Sequence, residues 1–295
     1  MDGLSFFYPL MLRIALPNKG RLADETRDLF NDAGLDVRLQ SGRSLTASLG
    51  GEFEAIFVRA TDIAEFVADG AADAGVTGWD LVRESKRDIV DLLDLGFGKC
   101  RVVVAAKEES DTCSIATIRE GAKVATVFPA LTSEFFATHS KTVQIVPVSG
   151  AVEIAPHLGI ADLIVDITST GSTLRINGLR EISTILSSTA RLVTAAERKP
   201  SDSCALNELV TALASVLSAR DKRYLMANVP RESLPAIKRI LPGLNGPTVI
   251  DVLNGGDQVA VHAVVAAESV YRTIAAVQQL GGRGILVTRI ERLTP

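Results

Sequence analysis

From Leu12 onward, short apolar runs rich in β-branched residues alternate with stretches whose apolar positions recur at helical spacing. LRIAL (12–16), AIFV (55–58), DAGVTG (73–78) and VVVAA (102–106) read as strands, with amphipathic helices over LADETRDLFNDAG (22–34) and TDIAEFVADG (61–70). A strand buried on both faces has no polar side to show, so this texture predicts parallel βαβ units. A second series follows: KVATV (123–127), a helix near LTSEFFATH (131–139), VQIVPV (143–148), a short helix near AVEIAPHLG (151–159) and DLIVDI (162–167). The two series meet near Phe97–Arg101. After RLVTA (191–195), the polar stretch ERKPSDS (197–203) precedes a long helical pattern from Cys204 to Arg220.

The texture changes at Arg223. RYLMANV, SLPAIKRIL, PTVIDVL, QVAVHAVV, SVYRTIAAVQQL and GILVTRI follow one another as strand, helix, strand, strand, helix, strand. That βαββαβ order is the ferredoxin-like arrangement of many small regulatory modules.

Composition narrows the function classes. With 295 residues, 47% of them hydrophobic, the chain can bury cores for two or three compact units. Its 31 basic and 35 acidic residues are spread without long blocks, for a net charge of −4, which leaves no electrostatic footprint for nucleic acid or an anionic membrane. No apolar run reaches the roughly 20 residues of a spanning helix. The opening MDGLSFFYPLML is apolar, but it carries Asp2 and lacks both a basic leader and a small-residue cleavage site, so residues 1–10 are expected to lie outside the fold. Cys100, Cys113 and Cys204 show no C-x-x-C spacing, which points to the reducing cytoplasm. His139, His157 and His262 have no metal-ligand spacing.

Candidate chemistry gathers in DITSTGSTLRINGL (166–179). Thr168, Ser169, Thr170, Ser172 and Thr173 surround Gly171 where a strand gives way to a helix. Free backbone N–H groups, hydroxyl donors and a glycine that permits close approach are the parts of an anion loop. The same residue types favour an ordinary capping turn, and this stretch alone leaves both readings open. Asp166 would repel a phosphate, but it suits a ribose diol, which offers two donors. Glu153, in SGAVEIAP, is a second acid at a strand-to-helix junction. Two carboxylates beside an anion loop point to a sugar phosphate with a divalent cation, whereas Glu153 alone also reads as a favourable charge at a helix N-terminus.

In PNKGRL (17–22), Lys19 and Arg21 flank Gly20 at a helix start, where the dipole disfavours cations unless an anion binds there. Arg59 and Asp80 fall at the carboxyl edge of predicted strands, where open α/β sheets bind ligands; for Arg59 a plain surface role is the alternative. GFGKC lacks the first glycine and the Ser/Thr of a P-loop, no G-x-G-x-x-G follows a strand, and GGRGIL reads as a helix stop. No G-x-S-x-G occurs.

Together these residues resemble the ATP phosphoribosyltransferase family, the first enzymes of histidine biosynthesis, in its long form. The resemblance runs from about Leu12 to the C-terminus, through LRIALPNKGRL, VRATDIAEFVADGAADAGVTGWDL, LGFGKCRVVVAA, SGAVEIAPHLGIADLIVDITSTGSTLRINGL and a final LPGLNGPTV, VAVHAVV and GGRGILVTRIERL. It implies an α/β catalytic unit with two lobes, like a type II periplasmic binding protein, followed by a ferredoxin-like (ACT-like) α+β module. Lobe I would cover 1–102, rejoined by 194–222, lobe II 103–193, and the regulatory module 223–295.

The resemblance also implies transfer of the phosphoribosyl group of phosphoribosyl diphosphate (PRPP) to N1 of ATP, with Mg2+. PRPP would lie on Asp166 and on Thr168, Ser169, Thr170, Gly171, Ser172, Thr173 and Leu174, with Glu153 and Asp166 as the catalytic acids. Further substrate contacts fall on Lys19, Gly20, Arg21, Arg59 and Asp80. Histidine would inhibit through the last module, with Asn228 and Asp251 as candidate contacts, in a homo-oligomer from dimer to hexamer. The family's usual proline after the Arg59 position is Ala60 here. Two-lobed folds also serve solute-binding proteins, so fold alone does not settle the activity.

Overall fold

The computed structural model describes residues 11–37, 45–198, 203–253 and 256–294. The expectation for residues 1–10, and Pro200 in the polar stretch, lie outside them. Two compact units separate, the first within 1–31 and 35–208, the second within 32–34 and 209–295.

The first unit begins with β1 (Leu12–Pro17), α1 (Ala23–Asp32), β2 (Thr46–Gly50), β3 (Phe53–Val58), α2 (Ile63–Ala68), β4 (Ala74–Gly78), α3 (Trp79–Ser85) and β5 (Ile89–Asp94). It continues through β6 (Cys100–Lys107), β7 (Ala122–Thr126), α4 (Pro129–Thr138), β8 (Val143–Pro147), β9 (Leu163–Thr168), α5 (Ser172–Ile176) and β10 (Leu179–Ser188), and returns as β11 (Ala190–Ala195). One sheet runs β2-β3-β1-β4-β11-β5 and the other β10-β6-β9-β7-β8.

Apart from β2, the two sheets share one plan. Each places its second, first and third strands side by side, then an antiparallel strand that arrives from the other lobe's side of a crossover, then its last strand. That crossing strand is β11 in lobe I, paired with β4 and β5, and β6 in lobe II, paired with β9 and β10. This repeated order is the type II periplasmic-binding-protein-like fold. β1 earns its central place by composition: Ile14, Ala15 and Leu16 are at most 2% exposed, and both its neighbours run parallel to it. Gly75 on β4 lets α2 close in, since a Cβ there would stand 2.5 Å from Ile63 Cγ2.

In lobe II, alternate residues feed the two faces of the sheet. Val102, Val104, Leu163 and Val165 pack with Phe128, Leu131 and Phe136, while Val103, Ala105 and Ile164 pack with Val152, Leu174 and Leu179. The short helix expected near 151–159 shrinks to a single 3₁₀ turn, Val152–Ile154, and Pro156 has no N–H with which to extend it. α3 ties the two lobes together. Leu81 packs against the lobe II core, and the Glu84 carboxylate accepts the N–H groups of Ala130 (2.8 Å) and Leu131 (2.9 Å) in the first turn of α4. Those donors have no partner inside their own helix, and the dipole favours an acid there.

The remaining elements are α6 (Cys204–Arg220), β12 (Lys222–Pro230), α7 (Leu234–Ile240), β13 (Thr248–Asp251), β14 (Gln258–Ala266), α8 (Val270–Gln279) and β15 (Arg283–Arg289). From β12 onward the order is βαββαβ, in an antiparallel sheet β13-β14-β12-β15. Leu225, Ala227, Val229, Val259, Val261 and Ala263 alternate onto the face covered by Ile237 and Val277. No helix among the described residues is long and apolar enough to cross a membrane.

Candidate active site

β9 delivers its last residues to the carboxyl edge of the lobe II sheet, and the chain turns at once into α5. Gly171 makes that turn in the left-handed region, at φ 75°, as the residue preceding the helix. Thr168 is buried, and its Oγ1 accepts the Gly171 N–H at 2.9 Å, which fixes the loop from beneath. The Thr170 and Ser172 hydroxyls lie 2.9 Å apart, and the Ser169 hydroxyl donates to the Lys99 carbonyl at 3.2 Å. Ser169, Thr170, Ser172 and Thr173 are exposed, and Leu174 is buried behind them as the anchor of α5. The residue preceding α5 is a glycine, and the helix start is closed from the loop instead: Thr168 Oγ1 takes the Gly171 N–H and Thr170 Oγ1 the Ser172 N–H, at 3.4 Å. The loop thus combines capping bonds with the exposed side chains of Ser169, Ser172 and Thr173.

Asp166 stands two residues before the strand end, on the sheet face it shares with Ile164. That face is covered by Val152 and Leu174, so the turn carrying Glu153 and the start of α5 meet beside it. Burial pushes the Asp166 carboxyl up; the Ile167 N–H, 2.7 Å from Oδ1, opposes this, and the Glu153 charge adds to it, leaving the pKa at about 6. Glu153 itself is half-buried in the 3₁₀ turn that Ala151 precedes in a left-handed conformation at φ 49°. The two acids predicted to work together are thus close enough to sense each other.

In lobe I the β1–α1 turn exposes Lys19, Gly20 and Arg21, with Gly20 at φ 89°. Arg59 is exposed just beyond β3. Neither Lys19 nor Arg59 has an ion-pair or side-chain hydrogen-bond partner among the described residues, so both cations are available to a ligand. Asp80 has a different place: it is 1% exposed, and its carboxylate accepts Arg21 Nη2 at 3.0 and 3.2 Å and the Ser188 hydroxyl at 2.5 Å. It holds Arg21 rather than facing the cleft itself. Burial, then the Asp80 charge, push the nearby Cys100 thiol up, and Arg21 moderates the shift.

A cavity of about 380 Å³ reaches from this network to the loop, lined by Lys99, Cys100, Arg101, Ser169, Ser188 and Arg191 among others. Of these, sequence reasoning named only Ser169 as a site residue. In the second unit, Asn228 pairs in register with Ala260, which pairs with Ile250, whereas Asp251 pairs with Val259 on the helix-covered side. Asn228 and Asp251 therefore point to opposite faces of the sheet and do not form one site within a single module. Asp251 is ion-paired with Arg231.

The family model described as HisG: ATP phosphoribosyltransferase matches residues 59–215, more than half of the chain, and HisG, C-terminal domain matches 219–292. The chain belongs to the ATP phosphoribosyltransferase family. It is 63% identical to the ATP phosphoribosyltransferase of Gemmatimonas aurantiaca over 292 residues, covering 97% of this chain and 100% of that one. The ATP phosphoribosyltransferase of Haloarcula marismortui is 48% identical, over 96% of this chain and 99% of its own. Among solved structures, the ATP phosphoribosyl transferase (HisG:HisZ) complex from Thermotoga maritima aligns with a TM-score of 0.62 and 27% identity, over 70% of this chain and 99% of that one. As an ATP phosphoribosyltransferase, the chain is a transferase acting at the first step of histidine biosynthesis.

Proposed function

We propose that the chain joins N1 of ATP's adenine to C1 of PRPP: the C1–oxygen bond to the diphosphate breaks, the N1–C1 bond forms, and pyrophosphate leaves. The observation that carries this reading is the Thr168–Thr173 loop, with its left-handed glycine and the exposed Ser169, Thr170, Ser172 and Thr173, set beside the Asp166 and Glu153 pair. Adenine N1 has a free lone pair, so the reaction needs no protein nucleophile, and catalysis rests on positioning and charge. Loop N–H and hydroxyl groups hold phosphate oxygens. Asp166 accepts the ribose hydroxyls, and Glu153 offsets positive charge growing on the ribose or the adenine. Lys19, Arg21 and Arg59 supply cations from lobe I, with Gly20 allowing close approach and Asp80 holding Arg21.

Two adjacent carboxylates with hard oxygen donors suit Mg2+, which usually binds through substrate phosphates and one or two acids. Among the described residues no three His, Cys, Asp or Glu side chains form a metal cage, which fits an ion that arrives with the diphosphate. Asp166 and Glu153 would hold it, and when bound it supplies charge to the leaving pyrophosphate. The last module is the site of histidine inhibition in this reading, and the protein works in the cytoplasm as a homo-oligomer between dimer and hexamer.

The test supplies ATP, PRPP and Mg2+ and follows pyrophosphate together with the mass of the nucleotide product. Product should require all three, and an ATP analogue with carbon in place of N1 should give none. Turnover of that analogue would sink the assignment of N1. Histidine added to the full chain should slow the reaction; substituting Asn228 and Asp251 separately would show which sheet face, if either, it uses.

A further inference from the structure

Two cations stand on the β1–α1 turn, and the fold treats them differently. Lys19 reaches solvent without a partner among the described residues, whereas Arg21 is gripped by the Asp80 carboxylate and the Gly98 carbonyl. A guanidinium has five N–H donors, and these contacts engage one N–H on each terminal nitrogen. The others remain open, on a side chain 31% exposed. Which way they point depends on how firmly Asp80 is held.

Ser188 holds it. The residue is 4% exposed at the end of β10, where the chain leaves lobe II, and its hydroxyl both donates to Asp80 Oδ1 at 2.5 Å and accepts the Asp80 N–H at 2.9 Å. One hydroxyl bonded to the carboxylate and the backbone of the same residue fixes the carboxylate's rotation, because turning it breaks the first bond while the second stays. Gly78 makes room for this arrangement: a Cβ there would stand 2.3 Å from Asp80 Oδ1 and 3.2 Å from Arg21 Nη2. Cys100 Sγ, 4.0 Å from the same oxygen, closes the remaining side.

We propose that Ser188 is a positioning residue: from the strand leaving lobe II it locks Asp80, and through Asp80 it aims the free N–H groups of Arg21 at the phosphorylated substrate. This rests on the reading of Arg21 as a substrate contact. The residue itself touches no substrate, and it couples the cation of lobe I to the segment that joins the lobes.

A double-mutant cycle on the full-length enzyme tests it, with kcat and KM measured for ATP and PRPP and folding checked by thermal unfolding. Ser188→Ala should lower kcat/KM about ten-fold, the scale of one hydrogen bond to a charged group. In an Arg21→Ala background the same change should cost nothing further, because the group being aimed is gone. An equal loss in both backgrounds overturns the proposal and leaves Ser188 a structural residue. Unchanged kinetics in Arg21→Ala alone overturns the substrate role of Arg21 first, and the role of Ser188 with it. If Ser188→Ala does not fold, Ser188→Cys, close in volume but a weak donor, enters the same cycle with the same two criteria.

Discussion

The third strand of each lobe ends in a turn leading into a helix, β4 into α3 and β9 into α5, and the two turns occupy equivalent places in equivalent sheets. Their contents are opposed. After β9, Ser169, Thr170, Ser172 and Thr173 are exposed, the glycine is left-handed and the helix is only five residues long. After β4, Gly78 is extended, Asp80 is buried within the first turn of α3, and the helix is packed onto the other lobe through Leu81 and Glu84. The same topology thus yields one turn with exposed hydroxyls and one closed around its own ion pair. Position in a fold offers a site; local residue chemistry decides whether it is filled from outside or from within.

Five experiments press on that contrast. Asp166→Asn should cut kcat/KM about a thousand-fold, since an amide NH₂ offers a donor where the sugar hydroxyls need an acceptor and about 4 kcal/mol of transition-state stabilisation goes with it. Near-normal kinetics in a folded variant would move the ribose away from the open turn. Gly171→Val should cost about a hundred-fold in activity, because a side chain in the left-handed region carries roughly 1–2 kcal/mol of strain and the loop N–H groups shift with it.

The third effect is on stability and has a defined sign. Asp166 titrates at about 6 in the fold against an ordinary 3.8, so the fold favours its neutral form. Its contribution is most favourable below pH 4 and declines as pH rises through 6, a cost of at most about 3 kcal/mol at pH 8. Asp166→Asn should therefore melt several degrees higher than the parent at pH 8 and show little gain at pH 4. A gain that is constant with pH would mean that burial of charge is not its cause. Asp80→Asn, in the closed turn, should instead lower the melting temperature at pH 8, since it removes the charge that neutralises Arg21. Smallest of all, Ser172→Ala should lower kcat/KM only a few-fold, roughly the worth of one exposed hydrogen bond. If it matches Gly171→Val, the backbone does not approach the phosphate closely.

The open turn was legible in the sequence because its parts are neighbours: hydroxyls, glycine and acid fall within eight consecutive residues, Asp166–Thr173. The closed turn was legible only in part. Asp80 and Arg21 stood out at strand ends, but the partner that fixes Asp80 lies 108 residues away, and no local pattern marks Ser188. The βαββαβ module could be read through because each of its strands except the edge strand β13 alternates cleanly toward one core. β5 and β10 escaped the pattern for physical reasons. β5 is an edge strand carrying Asp91 and Asp94, and β10 is interrupted by register shifts between Glu181 and Ser183 and between Thr184 and Leu186, which break the two-residue period.

The crossing of β11 into the first sheet also bears on how the chain acquires its shape as it is made. Lobe II is drawn from one continuous stretch, Cys100–Ser188, and can complete its sheet as soon as that stretch is available. The lobe I sheet cannot, although its other strands come earlier: among the described residues β5 pairs only with β11, which is not made until residues 190–195. Domains generally fold as units from the N-terminus during synthesis, whereas here the strands of lobe II are all available before the lobe I sheet has its full set. The earlier-made half waits with an open edge on β4 while the later half closes, and a ribosome stalled between residues 100 and 190 would carry a nascent chain with that edge unpaired.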